Sequence, residues 1–317
     1  MIDPEAHVAV LGATSAIGAG VVRALGGSGH RAVSAVPGDG PDPAGAAALD
    51  EFFARMRPTH VIIASVRAGG IRANERAPAD LMADNLIADT HAIVAAHRHG
   101  VRKLLYLASS CAYPRDCRQP MRIDDLLTGP LEPTSAAYAM AKLAGMSLCR
   151  AFRQQHGDDF VAAIAADGYG PGDDFSDDGA HVVAALIRRI HEARERGAPT
   201  VTVWGTGRAR RDFLFVDDLA AACLFLLARY SSEAPINVGA GADVSIAELA
   251  DVIREVVGFR GTLEFNTTKP DGAPRKTLDA APLRALGCAP TTGLRAGVAA
   301  TYEWFLAHET AATGARA

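Results

Sequence analysis

A tyrosine and a lysine four residues apart, Tyr138 and Lys142, offer acid/base chemistry on one face of a predicted helix. An ammonium group beside a phenol favours the phenolate, so the pair predicts a hydroxyl that ionises below its ordinary pKa of about 10. Ser109 ends an apolar run upstream and could hydrogen-bond the same carbonyl oxygen. Together the three side chains indicate hydride transfer to or from a carbonyl carbon.

These side chains need a scaffold, and the first half of the chain predicts a parallel α/β sheet. Short β-branched runs alternate there with longer helical patterns, and the runs cover residues 7–11, 31–36, 60–65, 103–109 and 160–165. Ligands of doubly wound sheets bind at the carboxyl ends of the strands, where Ser109 lies. The predicted fold class is α/β, with a doubly wound parallel sheet of the Rossmann type.

The composition changes after residue 170, which predicts a second, smaller α/β lobe. A Gly/Asp-rich loop is followed by an amphipathic helix over about 181–196 and by a strand over 200–204. Residues 213–240 return to the first lobe in this interpretation. We therefore expect a dinucleotide-binding domain in 1–170 and 213–240, a substrate lobe in 171–212 and 241–308, and a loose tail in 309–317.

Residues 12–18 follow the first predicted strand and open the first predicted helix. A tight turn in this position directs backbone N–H groups and a helix N-terminus at a pyrophosphate. The candidate cofactor contacts in the turn are Gly12, Thr14, Ser15, Ala16, Ile17 and Gly18. The candidate cofactor contacts further along the chain are Asp39, Ser65, Tyr138, Lys142, Asp167 and His181.

The type of dinucleotide depends on cations near the adenosine ribose. Arg or Lys near the first turn or at the end of the second strand normally binds a 2′-phosphate. Thr14 and residues 36–38 offer neither cation. Asp39 could instead accept the ribose hydroxyls of NAD, although an Asp in this Gly/Pro-rich loop could equally be a turn residue. We expect NAD or NADP as the cofactor, with NAD slightly favoured.

Composition excludes several classes of protein. The 317 residues are 49% hydrophobic with a formal net charge of −4, and no basic stripe predicts a nucleic-acid partner. An apolar strand begins within seven residues without a basic leader, so we expect a cytoplasmic protein with no membrane partner. Five scattered cysteines predict free thiols and no metal site.

Several different short motifs follow one another along the chain. They are Ser-Ser-Cys-Ala-Tyr-Pro-Arg at 109–115, Tyr-Ala-Met-Ala-Lys at 138–142, Tyr-Gly-Pro-Gly-Asp-Asp-Phe at 169–175, Val-Trp-Gly-Thr-Gly at 203–207, Phe-Leu-Phe-Val-Asp-Asp at 213–218 and Lys-Pro-Asp-Gly-Ala-Pro-Arg-Lys at 269–276. In this order the motifs resemble those of the GDP-L-fucose synthase family of extended short-chain dehydrogenases/reductases.

The resemblance implies a different role for each group of candidate residues. Ser109, Tyr138 and Lys142 would form the hydride-transfer triad, while Cys111 and His181 would exchange protons at the sugar carbons beside a C4 ketone. It also implies GDP-sugar contacts from Ser110, Cys111, Asp167, Arg188, Trp204, Arg211 and Lys276. The expected activity is 3,5-epimerisation with 4-keto reduction, and the expected assembly is a homodimer.

Elementary chemistry agrees with the implied proton transfers. Protons beside a carbonyl are acidic because the enolate is delocalised, and inversion requires removal from one face and return to the other. A thiol and an imidazole, with ordinary pKa values of about 8.5 and 6.5, are a suitable base and acid for this task. The residue types leave open which of the two is the base.

Three departures from the family pattern leave a second activity open. Thr14 and the second-strand end lack the expected arginines, and Asp167 occupies the place of an Asn. The alternative is a GDP-mannose 3,5-epimerase, a relative that retains one NAD, undergoes no net redox change and forms GDP-L-galactose or GDP-L-gulose. A more remote alternative is a catalytically inactive nucleotide-sugar-binding protein.

Overall fold

The structure is a computed structural model that describes residues 2–3, 5–29, 31–35, 45–64, 67–177 and 179–314. The side chains of residues 31–35 and 309–314 are not described. Two predicted cofactor contacts, Asp39 and Ser65, lie outside the described residues.

Six parallel strands form the main sheet, and shorter strands build the rest of the fold. The strands of the described residues are β1 (His7–Leu11), β2 (Arg31–Ala35), β3 (His60–Ile63), β4 (Lys103–Ser109), β5 (Phe160–Ala165), β6 (Asp167–Tyr169), β7 (Thr200–Trp204), β8 (Arg210–Arg211), β9 (Phe213–Phe215), β10 (Ile236–Val238), β11 (Val244–Ser245), β12 (Thr262–Asn266) and β13 (Arg275–Lys276). The main sheet has the order β10-β5-β4-β3-β1-β2. This arrangement confirms the predicted parallel α/β sheet.

The α-helices connect these strands. Those of the described residues are α1 (Ala16–Gly27), α2 (Ala46–Met56), α3 (Ile71–Arg76), α4 (Pro78–Arg98), α5 (Ala136–His156), α6 (Val182–Glu195), α7 (Val216–Arg229), α8 (Ile246–Val257), α9 (Ala281–Ala285) and α10 (Leu294–Gly314). Local signals fix several of the ends. The α8 helix begins with a capping box between Ser245 and Glu248, and α5 ends at Gly157 in the left-handed conformation.

The buried apolar residues form two separate hydrophobic cores. The larger core surrounds the main sheet, and the smaller core joins α6, α8 and α10 through Leu186, Ile190, Leu249, Ile253 and Phe305. Helix α7 packs against α1, which places residues 216–229 beside the main sheet. Helix α10 continues to Gly314, into the segment that we expected to be a loose tail.

The short strands bring distant parts of the chain together near the carboxyl edge of the main sheet. Strand β8 lies between β11 and β13, while β6 pairs with β9. Candidate substrate residues from both predicted lobes therefore meet in this region. None of the helices in the described ranges is long and apolar enough to cross a membrane.

Candidate active site

The turn between β1 and α1 has the geometry of a dinucleotide cradle. Gly12 adopts a φ of 81°, a region that favours glycine. The hydroxyl of Ser15 donates to the Gly12 carbonyl at 2.8 Å and accepts the Gly18 N–H at 3.0 Å. Ser15 thus caps α1 and leaves the start of the helix facing the end of β1.

Close packing explains the glycine that ends this turn. A Cβ on Gly18 would lie 2.1 Å from the Gly12 carbonyl oxygen. The turn also approaches the segment that follows β5, because a Cβ on Gly168 would lie 3.5 Å from Ile17 and one on Gly172 would lie 3.7 Å from the Cα of Ala16. Thr14 is exposed at the tip of the turn. The residues present fit a pyrophosphate at the α1 N-terminus.

We expect Gly18→Ala to weaken cofactor binding by about tenfold or more, because the added methyl group must displace the turn that presents the N–H groups. Isothermal titration with NADPH and NADH measures the loss. Gly26→Ala is a matched control in the same helix, where a Cβ meets nothing within 4 Å. Equal cofactor affinities of the Gly18→Ala and Gly26→Ala variants would show that this turn does not bind the cofactor.

The hydride-transfer candidates lie at the end of β4 and on α5. Ser109 is the last residue of β4, and its hydroxyl accepts the Cys111 N–H at 3.3 Å. Helix α5 carries Tyr138 and Lys142 and packs against both β4 and the 3₁₀ turn Ser110–Ala112. The Lys142 ammonium lies 5.7 Å from the centre of the Tyr138 ring. The structure therefore brings the predicted serine, tyrosine and lysine to one region of the sheet edge.

Lys142 is fully buried and has a carboxylate partner. Its ammonium is 2.9 Å from Asp89 on α4, and both side chains are 1% exposed. The Tyr106 hydroxyl donates to the same carboxylate oxygen at 2.6 Å. Burial raises the pKa of Tyr106 well above its ordinary value, and the charge of Asp89 adds to the effect. The Asp89 carboxylate therefore balances the positive charge of the buried Lys142 near Tyr138.

Asp89 was not identified from the sequence as the partner of Lys142. A signal was present, because this Asp stands among alanines and apolar residues on the buried face of α4, where an unpaired charge would be costly. A Cβ on Gly145 would lie 2.4 Å from the Tyr106 hydroxyl. Glycine at this position of α5 therefore lets Tyr106 reach Asp89.

A second polar cluster joins five of the predicted substrate residues. The Lys276 ammonium is 2.9 Å from Asp167, 3.2 Å from the Ser110 hydroxyl and 3.7 Å from Cys111 Sγ. Arg211 approaches Asp167 at 3.8 Å. These residues come from β13, β6, β8 and the 3₁₀ turn, so the cluster forms only in the folded chain.

Charge pairing governs the ionisation of this cluster. Burial opposes ionisation of Asp167, but the charges of Lys276 and Arg211 outweigh it and hold the pKa of that carboxyl below its ordinary value. Burial likewise opposes the Lys276 cation, yet Asp167 and Cys111 raise the pKa of this ammonium. Both members of the pair are therefore charged at neutral pH.

Asp212 lies between two of the short strands beside this cluster, and no local pattern around it predicts its role. Its carboxylate accepts N–H groups from Ala240 at 2.9 Å, Gly241 at 3.2 Å and Leu278 at 3.3 Å. Burial raises the pKa of Asp212 to about 6 despite these contacts. The side chain links β8 and β9 to the loops after β10 and β13.

The remaining predicted residues have other surroundings. His181 caps α6 and is exposed, and its charge is a further, smaller cause of the lowered pKa of Asp167. Trp204 ends β7 and is 39% exposed, with the Lys269 ammonium 5.1 Å from its ring centre. Arg188 pairs with Asp177 and Glu192 and makes no described contact with the Asp167 cluster.

Comparisons with known proteins agree with the fold. Residues 8–239 match the NAD dependent epimerase/dehydratase family. GDP-L-fucose synthase 1 of Arabidopsis thaliana is 45% identical over 96% of this chain and 95% of its own length. GDP-L-fucose synthase of Escherichia coli is 44% identical over 83% of this chain and 84% of its own length.

A solved structure extends the likeness to three dimensions. The GDP-L-fucose synthetase from Naegleria fowleri bound to NADP superposes with a TM-score of 0.87 at 25% identity, covering 98% of this chain and 97% of the other. The two chains therefore share one fold over nearly their full lengths. The chain belongs to the GDP-L-fucose synthase family of NAD(P)-dependent epimerase/reductase enzymes within the NAD dependent epimerase/dehydratase family.

Proposed function

We propose that this enzyme converts GDP-4-keto-6-deoxymannose to GDP-L-fucose by epimerisation at C3 and C5 followed by reduction at C4. The observation that carries the proposal is the position of Cys111, whose Sγ lies 3.7 Å from Lys276 on β13. A thiol suited to proton transfer and a cation suited to a sugar nucleotide thereby share one site. The carboxyl end of β4 supplies the neighbouring Ser109.

In the epimerisation, Cys111 and His181 act on protons beside the C4 ketone. One of them removes a proton from C3 or C5, which leaves an enolate with its charge on the C4 oxygen. The other returns a proton to the opposite face, so that the centre is inverted and no proton is gained or lost overall. Hydroxyls of Ser109 and Tyr138 would stabilise the enolate oxygen.

In the reduction, the same hydroxyls act on the C4 oxygen. The turn between β1 and α1 would hold the reduced nicotinamide cofactor, which would supply a hydride to C4. Tyr138 then donates its phenolic proton to the oxygen, and Lys142 stabilises the phenolate that remains. The Asp89 carboxylate holds the Lys142 ammonium at 2.9 Å, which keeps this cation in place below the tyrosine.

The GDP part of the substrate would occupy the cationic side of the site. Arg211 and Lys276 are the cations beside Asp167, and the exposed ring of Trp204 offers a surface for the base. Arg188 is a more distant candidate, because reaching a phosphate would require it to leave Asp177 and Glu192.

Product analysis separates this proposal from the GDP-mannose epimerase alternative. Purified enzyme is incubated with GDP-4-keto-6-deoxymannose or with GDP-mannose, and both nicotinamide absorbance and the sugar product are followed. We expect stoichiometric oxidation of reduced nicotinamide with the keto sugar and no product from GDP-mannose. Product from GDP-mannose without added cofactor would contradict the proposal and favour the epimerase.

We also propose that NAD(H) binds more tightly than NADP(H), by a factor of a few. The support is the exposed Thr14 at the tip of the cofactor turn, because a 2′-phosphate normally pairs with Arg or Lys at this place. Competition between the two reduced cofactors measures the preference. A clear NADP(H) preference would mean that a cation from elsewhere reaches the 2′-phosphate.

A homodimer is the assembly that we propose. Helices α4 and α5 pack side by side, and they expose Ile87 and Met140, each 45% accessible. Large apolar side chains on two adjacent helices are the kind of surface that contact with a second copy would cover.

A further inference from the structure

We propose that Lys276 and Asp167 set the reactivity of Cys111: the ammonium of Lys276 favours the thiolate, and the carboxylate of Asp167 limits this effect by partly neutralising the ammonium. This inference rests on the proposed function, in which Cys111 exchanges a proton with the sugar. Lys276 and Asp167 act through Cys111 here and are therefore positioning residues in this role.

The thiol of Cys111 and the cation of Lys276 are close to each other. Lys276 Nζ lies 3.7 Å from Cys111 Sγ and 3.2 Å from the neighbouring Ser110 hydroxyl. The Cys111 N–H donates to Ser109 Oγ, which anchors the residue at the end of β4. A cation at this distance stabilises a thiolate more than a thiol.

Asp167 competes for the same cation. Its carboxylate is 2.9 Å from Lys276 Nζ and accepts the Ser110 hydroxyl at 3.4 Å. Lys276 therefore lies between one full negative charge and a thiol that would become negative on ionisation. The two contacts oppose each other, so removing Lys276 and removing the Asp167 charge must change the thiol in opposite directions.

Three other charges lie near the cluster. Arg211 on β8 is 3.8 Å from Asp167, and both His181 at the start of α6 and Asp212 after β8 interact electrostatically with Asp167. All three are unchanged in the variants proposed below. The family resemblance leads us to expect Asn at position 167, so the carboxylate is a feature in which this chain departs from that pattern.

Alkylation by iodoacetamide tests the proposal without substrate or cofactor. Folded enzyme is treated over a range of pH, and mass spectrometry of peptides follows Cys111 with Cys288 as the internal reference thiol. At pH 7 we expect Lys276→Met to slow alkylation of Cys111 by about three- to tenfold and Asp167→Asn to accelerate it by a similar factor. The pH of half-maximal rate should rise in the first variant and fall in the second.

Two further variants control for charge and for structure. Lys276→Arg retains the cation and should keep the rate within about twofold of the wild type. Lys269→Met removes an exposed cation of the same lobe and should leave Cys111 unchanged. If Asp167→Asn does not fold, the contrast between the Met and Arg variants of Lys276 carries the test.

If Lys276→Met and Asp167→Asn both slowed or both accelerated the alkylation of Cys111, the proposal would be overturned, since both changes would then reflect a general disturbance of the site. Equal rates in Lys276→Met and Lys276→Arg would also overturn it. The proposed function has a separate test, namely sugar deuteration by Cys111 variants. Either experiment can fail while the other succeeds, so their failures are distinguishable.

Discussion

Tyr138→Phe is expected to reduce turnover by about a hundredfold to ten-thousandfold, the range for loss of a positioned acid/base group. The change removes only the hydroxyl that we propose to protonate the C4 oxygen. The ring remains, and its distance of 5.7 Å from the Lys142 ammonium need not change. Single-turnover kinetics with the keto sugar and reduced cofactor measure hydride transfer directly.

A matched control removes a tyrosine hydroxyl elsewhere. Tyr230→Phe deletes a hydroxyl that donates to the Ala234 carbonyl on the surface, and it should leave hydride transfer unchanged. Near-normal transfer in a folded Tyr138→Phe enzyme would remove Tyr138 from the mechanism. Equal losses in both variants would point to stability as the cause.

Replacement of Cys111 or His181 is expected to slow proton exchange strongly while the cofactor site persists. Cys111→Ser exchanges a thiol for a much weaker acid, and His181→Asn removes the imidazole at the start of α6. Each change should slow epimerisation by about a hundredfold or more. In deuterated buffer without reduced cofactor, the wild-type enzyme should label both C3 and C5 of the keto sugar.

The variants should label the sugar poorly or at one centre only, and mass spectrometry with NMR of the recovered sugar locates the deuterium. Cys117→Ser is the control, because this half-buried thiol lies on the same loop. Undiminished labelling at both carbons in both variants would show that other residues carry the protons. Retained cofactor affinity in each variant separates this loss from a disturbed fold.

Local patterns were sufficient to predict five of the six strands of the main sheet. Strands β1 and β4 have the predicted bounds, and the helix with Tyr138 and Lys142 follows from spacing alone, because apolar periodicity and turn residues act over a few positions. The edge strand β10, three residues long, carries too little periodicity to be recognised. Its place beside β5 is decided by tertiary packing.

The individual site residues could be predicted from the sequence, but the contacts between them could not. Sequence analysis assigned Lys276 and Asp167 to the substrate, but nothing in a chain separation of 109 residues indicates that they bind each other. The short strands β8 and β13 create this contact through the fold. The same limit applies to Lys142, whose partner Asp89 lies 53 residues earlier on another helix.

The return of the chain from the second lobe to the main sheet constrains how this enzyme can be divided or recombined. A gene fragment that ends at residue 170 would lack β10 and α7, leaving β5 as an unpaired edge and the contact face of α1 uncovered. A substrate lobe transplanted from a relative must bring residues 171–212 and 241–308 together, because β8 of the first segment pairs with β11 and β13 of the second. Exchanging either segment alone would replace one side of these strand pairings, which hold Arg211 and Lys276 beside each other.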